Sequence, residues 1–168
     1  MRGQAPTVSG ALSTWAAFLG LAWPEEQPAA PAFTLPDLRG QPISLEDYAG
    51  SVVLINFWAT WCRECVWEIP ELEKLSQAYR AQGLIVLAVA LDRHGKELVG
   101  EYLIQERVRV TFPVLLDPDR RVARVYRVTG IPVTMIVGRD GALIGAVYGA
   151  QRWGSPKVMK QIKTFLGQ

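Results

Sequence analysis

The two cysteines of the chain, Cys62 and Cys65, are the residues whose spacing most clearly indicates chemistry. They come directly after an apolar run typical of a buried strand, and they open a segment with helical periodicity. A helix N-terminus carries partial positive charge and unpaired N–H groups, so we expect it to stabilise a Cys62 thiolate. A separation of three places Cys65 on the same helical face, within reach of a disulfide. The pattern predicts that Cys62 attacks a partner's disulfide and that Cys65 resolves the mixed disulfide.

Two alternatives to redox chemistry are structural cysteines and half of a metal site. A metal site needs more ligands than two thiolates, and His94 is the only histidine of the chain. His94 lies in a loop-like Asp-Arg-His-Gly sequence, away from the cysteines. We also find no Gly-rich phosphate loop and no Ser/His/Asp arrangement. We therefore expect no metal and no cofactor.

The composition excludes several function classes. A chain of 168 residues with 49% hydrophobic and 20% charged residues suits one packed globular domain. A net charge of +2 gives no strong attraction to nucleic acid, so we expect no nucleic-acid partner. The chain also carries a local basic cluster, which we interpret as a solvated face, with a docking patch for a partner as the alternative: Arg120, Arg121, Arg124 and Arg127.

The first 31 residues differ from the rest of the chain. Residues 8–23 carry no charge, and residues 24–31 read as a Pro/Ala-rich linker. A helix of about 16 residues spans roughly 24 Å, which is marginal for a bilayer core and comfortable for a signal sequence. We interpret residues 1–31 as a signal or anchor segment with its linker, and residues 32–168 as the domain. A buried core helix is the alternative for residues 8–23.

Strands alternate with helices along the predicted domain, and a hairpin and a helix end it. The pattern predicts a mixed sheet flanked by helices, with parallel strands inside and an antiparallel edge at the C-terminal end. The predicted strands, the last two forming a hairpin, are Ser51–Ala59, Gly83–Leu91, Thr111–Leu116, Val133–Val137 and Ala142–Tyr148. The predicted helices are Cys62–Gln82 with a kink at Pro70, Lys96–Arg107, a short one from a cap at Asp119 to Tyr126, and one opening at Ser155-Pro156.

Several motifs in combination resemble the TlpA/ResA/CcmG-type thioredoxin-like thiol–disulfide oxidoreductases. The resemblance covers residues 32–167 and rests on the AFTLPD opening, on VLINFWATWC with Cys65 to Pro70, on FPVLLD, on Gly130-Ile131-Pro132 and on the Asp140-Gly141 turn. It implies a thioredoxin-like fold with an N-terminal β-hairpin at 33–45 and a central αβ insertion. It also implies a bacterial periplasmic location or one at the outer face of the cytoplasmic membrane.

The resemblance implies roles for residues around the cysteines. Pro132 matches a cis-proline facing the disulfide, so the Ile131–Pro132 bond would hold the Ile131 backbone open to an extended substrate; a trans proline is the alternative. Glu68 matches an acidic residue that could accept a proton from Cys65, the alternative being an ordinary surface glutamate. Asn56 stands where ordinary thioredoxins have a buried aspartate.

The resemblance also implies partners. The substrates would be protein disulfides, such as those of apocytochrome c haem-binding thiols, and electrons would come from a transmembrane thiol carrier. Trp61 would give partners an apolar contact beside Cys62, and Trp67 would do the same or simply pack. We therefore predict an extracytoplasmic thiol–disulfide oxidoreductase, most simply a reductant.

Three other functions are alternatives to the predicted oxidoreductase. A peroxiredoxin-type peroxidase needs a P-x-x-x-T-x-x-C pattern. In this chain Ile55 stands where the pattern has proline, and Ala59 stands where it has threonine. A Sco-like copper chaperone uses a CxxxC spacing and a histidine ligand. A non-catalytic binding module would keep the fold, and its binding would survive a Cys62→Ser substitution.

Overall fold

The computed structural model describes residues 27–167. Its strands are β1 Thr34–Pro36, β2 Pro42–Ser44, β3 Val52–Trp58, β4 Leu84–Ala90, β5 Val114–Leu116, β6 Val133–Val137 and β7 Leu143–Tyr148. Its α-helices are α1 Arg63–Tyr79, α2 Gly95–Gln105, α3 Arg121–Val125 and α4 Pro156–Leu166. Two short 3-10 helices occupy Leu45–Tyr48 and Arg80–Gln82.

The five-stranded sheet has the order β5-β4-β3-β6-β7. Strands β3, β4 and β5 run parallel, and β6 and β7 are antiparallel to their neighbours. The predicted mixed sheet flanked by helices, with its antiparallel C-terminal edge, is therefore confirmed. Strands β1 and β2 form the separate N-terminal hairpin.

Strand β3 is the central strand of the sheet, and every one of its seven residues is buried. Its branched and aromatic side chains alternate between two faces, so each face of the sheet has its own core. Trp58 packs with the apolar side of α1 on one face, and Phe57 packs with Tyr126 on the other. The end of this rigid strand leads directly to the two cysteines.

Two details of the predicted helices differ in the structure. Helix α1 ends at Tyr79 and tightens into the 3-10 turn, which closes at Gly83 with a φ of 86°. Pro70 lies within α1, as expected, and the kink at this position stays a prediction. Asp119 does not cap the short helix α3: the buried Asp117 carboxylate accepts the backbone N–H groups of Arg121 and Ala123 at 2.8 and 2.9 Å. Asp117 directly follows β5 and is buried next to the start of the helix, whereas Asp119 is exposed.

Part of the segment interpreted as a linker is bound to the domain. The Pro28 carbonyl accepts from Leu143 N at 2.8 Å, and Ala30 N donates to the Gly141 carbonyl at 2.9 Å. The Tyr126 hydroxyl donates to the Pro31 carbonyl at 2.7 Å. The proposed anchor at residues 8–23 lies outside the described residues. Between residues 27 and 167, none of the helices has the length and apolar character needed to cross a membrane.

Candidate active site

Cys62 and Cys65 are joined by a disulfide at the start of α1. Their Cα atoms lie 5.2 Å apart. Cys62 caps the helix: its backbone is extended, and its Sγ accepts the Cys65 N–H at 3.3 Å. The Cys62 sulfur therefore lies against the positive end of the helix, where a thiolate is stabilised.

The two sulfurs differ in their access to solvent. Cys65 is 0% exposed and packs in the core cluster beneath α1, whereas Cys62 is partly exposed. A partner's disulfide can therefore reach Cys62 and not Cys65. This asymmetry suits the predicted division between an attacking and a resolving cysteine.

Asp92 fixes the backbone that leads into the cysteine pair. Its buried carboxylate accepts the Thr60 hydroxyl at 2.6 Å and the Thr60 N–H at 3.1 Å. Asp92 follows β4, so this contact ties the end of the neighbouring strand to the turn after β3. Nothing in the local sequence relates Asp92 to Thr60, which lies 32 residues earlier, so this contact is not apparent from the sequence.

The Ile131–Pro132 peptide bond faces the disulfide and is cis. The Ile131 carbonyl oxygen lies 3.9 Å from Cys62 Sγ. Pro132 is buried, and its carbonyl accepts Gly149 N at 2.9 Å, which holds the segment against the end of β7. The Ile131 backbone thus lies directly beside the exposed sulfur.

Glu68 is not a surface residue, since it is only 1% exposed. Its Oε1 accepts the Trp153 indole N–H and, at 3.2 Å, the Gln151 backbone N–H. Its Oε2 accepts Asn56 Nδ2 at 3.3 Å. Position 68 follows Cys65 by one helical turn, so the carboxyl belongs to the same face of α1 as the buried sulfur.

Burial changes the acidity of this carboxyl. The loss of hydration raises the pKa of Glu68 from 4.5 to about 7, and the three hydrogen-bond donors oppose part of that rise. A carboxyl with a pKa near neutrality exists in both protonation states under physiological conditions. It can therefore accept a proton and release it again.

Asn56 and Thr134 complete the polar pocket under the helix. Asn56 Nδ2 donates to Thr134 Oγ1 at 2.9 Å as well as to Glu68, and both residues are buried. The Asn56 amide neither gains nor loses a proton near neutral pH, so it cannot act as an acid or a base. Within the described part of the chain, Glu68 is the carboxyl in this pocket.

The polar partners that other segments supply to the Glu68 pocket could not be identified from the sequence. Trp153 and Gln151 follow β7 and lie more than 80 residues from Glu68. Thr134 pairs with Asn56 across β3 and β6. No periodicity or motif relates these positions, and only the sheet order brings them together.

The aromatic residues around the motif are on the surface. Trp61 is 62% exposed and Trp67 is 48% exposed, which is consistent with an apolar contact for partners. His94 precedes α2 and makes no side-chain capping bond. Among residues 27–167, no group of three or more His, Cys, Asp or Glu side chains is arranged to hold a metal ion.

Comparison with known proteins places these features in a family context. The AhpC/TSA family model matches residues 27–145. The thiol–disulfide oxidoreductase ResA of Geobacillus kaustophilus is 35% identical over 120 residues, which cover 71% of this chain and 67% of the relative. The ResA of Bacillus subtilis is 34% identical over 134 residues, which cover 80% of this chain and 73% of the relative.

Solved structures agree with the sequence comparisons. A Chlorobium tepidum protein assigned as a thiol:disulfide interchange protein DsbE superposes with a TM-score of 0.76 at 32% identity, covering 85% of this chain and 99% of the other. The thioredoxin domain of a thiol-disulfide oxidoreductase from Bacteroides vulgatus gives a TM-score of 0.69 at 26% identity, covering 86% and 99%. The matched fold is the thioredoxin-like one.

Proposed function

Because this chain belongs to the AhpC/TSA family and is a thiol–disulfide oxidoreductase of the ResA type, we propose that it reduces protein disulfides outside the cytoplasm, with Cys62 as nucleophile. One observation carries the assignment of the nucleophile. The Cys62–Cys65 disulfide caps α1 with one sulfur partly exposed and the other buried. The disulfide state described here is then the product of one catalytic cycle.

The reaction balances as a two-electron exchange. The Cys62 thiolate attacks one sulfur of the substrate disulfide, the substrate S–S bond breaks, and the first substrate thiolate leaves. Cys65 loses its proton and attacks the Cys62 sulfur, which releases the second substrate thiolate and forms the Cys62–Cys65 bond. The substrate gains two electrons and two protons, one proton from Cys65 and one from solvent, to which Cys62 lost its own proton on ionising. A dithiol donor must then reduce the enzyme again.

Glu68 supports the second step in this proposal. The Cys65 thiol is buried and must lose a proton before it can attack. Glu68 lies on the same face of α1, and its pKa of about 7 lets it take that proton at neutral pH. The proton then passes to a departing substrate thiolate, and Glu68 returns to its ionised form.

Two cysteine variants test the proposed division of roles. We expect Cys62→Ser to abolish disulfide exchange, because the exposed nucleophile is gone. We expect Cys65→Ser to accumulate a stable mixed disulfide with a substrate, since Cys62 can attack but nothing resolves the product. Mass spectrometry of the trapped species measures both results. A mixed disulfide through Cys65 in the Cys62→Ser variant would contradict the assignment.

The direction of electron flow is tested by equilibrating the protein with glutathione or dithiothreitol buffers. A reduction potential below about −220 mV supports a reductant, and one near about −120 mV makes the protein an oxidant of folding proteins. Consumption of hydrogen peroxide by the reduced protein would move the peroxidase alternative forward. The sequence disfavours the peroxidase, since Ile55 and Ala59 stand where its pattern requires proline and threonine.

The cellular setting is also proposed. The charge-free run at residues 8–23 supports export or anchoring at the outer face of the membrane, with residues 32–168 as the catalytic domain. Its substrates would include proteins with vicinal cysteines such as apocytochrome c, and a transmembrane thiol carrier would donate the electrons. Labelling of intact cells with a membrane-impermeant maleimide tests the location. Holocytochrome c levels in a deletion strain carrying the wild-type or the Cys62→Ser chain test the substrate.

A further inference from the structure

A groove beside the exposed Cys62 is lined by basic as well as apolar side chains. It has a volume of about 480 Å³ and is bordered by Trp61, which precedes Cys62, and by Ile131, whose carbonyl oxygen lies 3.9 Å from the Cys62 sulfur. Its other wall is formed by the short helix α3 and the residues before it, including Arg120 and Arg124. A polypeptide that brings a disulfide to Cys62 would therefore have this groove beside it.

The structure divides the basic cluster of the sequence into two pairs. Arg120 and Arg124 line the groove, whereas Arg121 and Arg127 are exposed outside it. Arg120 lies over the Trp61 ring, with its Cζ 5.9 Å from the ring centroid. Arg120 therefore lies in cation–π contact with the aromatic residue that precedes Cys62.

No carboxylate in the described residues neutralises the two groove arginines. Arg124 Nη1 donates to the backbone carbonyl of Asp119 at 2.7 Å, and neither Arg120 nor Arg124 forms a salt bridge with a carboxylate among residues 27–167. The buried Asp117 carboxylate already accepts two backbone N–H groups of α3. The remaining hydrogen-bonding capacity of both guanidinium groups faces solvent in the groove.

We propose that Arg120 and Arg124 select substrates with an acidic residue next to the cysteine that Cys62 attacks. This inference rests on the proposed function and names its substrate class. A guanidinium group presents a planar set of donors that matches a carboxylate, and two of them in one groove favour an acidic segment over a neutral one. The Trp61 ring under Arg120 holds the side chain in position, so less side-chain freedom is lost on binding.

The position of the groove gives the charge a kinetic effect. Complementary charges mainly raise the rate of productive encounter, and the effect falls as salt screens it. An extended substrate that lies along the Ile131 backbone places the neighbours of its cysteine beside α3. The preference should therefore appear in the rate of the first exchange step.

Two peptides that differ only in charge test the proposal. Each contains an intramolecular Cys-x-x-Cys disulfide, flanked on both sides by glutamates in one peptide and by glutamines in the other. Acid quenching and chromatography measure the rate at which the reduced full-length protein, in mild detergent, reduces each peptide. The readout is the ratio of the glutamate rate to the glutamine rate.

Two double variants provide a matched comparison. Arg120→Glu with Arg124→Glu reverses the groove charges, and Arg121→Glu with Arg127→Glu makes the same charge change outside the groove. Each pair contains one residue with a φ of 54°, so the backbone strain is matched as well.

We expect the wild-type ratio to be about tenfold at low salt and to shrink in about 0.5 M salt. The groove variant should lose or invert the ratio, and the control variant should keep it within about twofold. Equal rates for both peptides with the wild type, or an equal loss in both variants, would overturn this inference and leave the proposed function intact. A wild-type protein that reduces neither peptide would overturn the proposed function and this inference together.

Discussion

Glu68 shows how the surroundings of a single residue change its chemistry. The same side chain on an exposed helix would be ionised throughout the physiological range. Here it is enclosed by α1, by Asn56 and by the indole of Trp153, and burial raises its pKa to about 7. The donors around it limit that rise and fix the direction of the carboxyl, which is what proton exchange with a nearby thiol requires.

The raised pKa has a consequence for stability. The folded protein holds the Glu68 proton more tightly than the unfolded chain, where the pKa is near 4.5. Stability from this residue is therefore fully present below about pH 4.5 and is lost as the pH rises through about 7. The difference corresponds to about 3 kcal/mol.

We expect the free energy of unfolding of the wild type, relative to that of Glu68→Gln, to fall by about 3 kcal/mol between about pH 4 and pH 8. Urea unfolding of both oxidised proteins at each pH measures it. Subtraction of the variant removes the contribution of every other titrating group. A difference that stays constant with pH would show that Glu68 is not the group responsible.

The hydrogen bond from Trp153 predicts a second effect. Because the indole N–H stabilises the ionised carboxyl, Trp153→Phe should raise the pKa of Glu68 above its present value of about 7. A pH titration of the side-chain carboxyl by ¹³C NMR measures it, with Glu68→Gln identifying the signal. Trp67→Phe changes an exposed tryptophan near the same motif and should leave the titration unchanged. A lower pKa in Trp153→Phe would contradict the assignment.

At the side of the domain away from the cysteines, one arginine side chain connects the ends of several secondary structure elements. Arg139 lies in the turn between β6 and β7. Its Nη1 donates to the Gly50 carbonyl at 3.0 Å, and its Nη2 donates to the carbonyls of Gln82 and Leu166 at 2.9 and 3.2 Å. One side chain thereby joins the segment before β3, the 3-10 turn after α1 and the end of α4.

This junction explains why Gly83 suits its position. A Cβ atom there would lie 2.7 Å from Arg139 Nη1, and the φ of 86° favours glycine in any case. We expect Arg139→Ala to lower the free energy of unfolding by about 1–3 kcal/mol, because three carbonyls lose a charged donor. Arg80→Ala, an exposed arginine of the 3-10 turn, should change it by less than about 0.5 kcal/mol. Chemical unfolding of both variants compares them, and equal effects would speak against the junction.

At the scale of the whole molecule, the sheet brings distant segments to one end. The disulfide follows β3, Asp92 follows β4, Pro132 precedes β6 and Trp153 follows β7. All four lie at one end of the sheet, because β3, β4 and β7 end there and the antiparallel β6 begins there. The other end of β7 receives residues 28–31 through the hydrogen bonds at Leu143 and Gly141.

These contacts predict where the chain can be shortened. Removal of residues 1–26 should leave the free energy of unfolding close to that of the full chain. Removal of residues 1–31 should lower it by about 1–3 kcal/mol, since Leu143 N and the Tyr126 hydroxyl lose their acceptors. Urea unfolding of the two shortened proteins measures the difference. If both unfold at the same urea concentration, residues 28–31 contribute nothing to the domain.

The sequence by itself determined the features that depend on local pattern. Continuous apolar runs predicted β3 and β4, helical spacing predicted α1, and the position of Cys62 and Cys65 at their junction predicted exchange chemistry. These predictions succeed because strand burial, helix periodicity and helix-end electrostatics act over a few residues. The resemblance then added Pro132 and Glu68.

Only the tertiary structure decided which of the remaining residues join the site. Sheet order brings Trp153 to Glu68 across 85 positions and Asp92 to Thr60 across 32, and no local pattern records such pairings. The carboxylate of Asp117, and not the predicted one of Asp119, accepts the backbone N–H groups at the start of α3. The four arginines form one basic cluster along the sequence, and the tertiary structure shows that Arg120 and Arg124 line the groove whereas Arg121 and Arg127 lie outside it. Contacts between segments far apart in sequence depend on packing, which is a property of the folded chain as a whole.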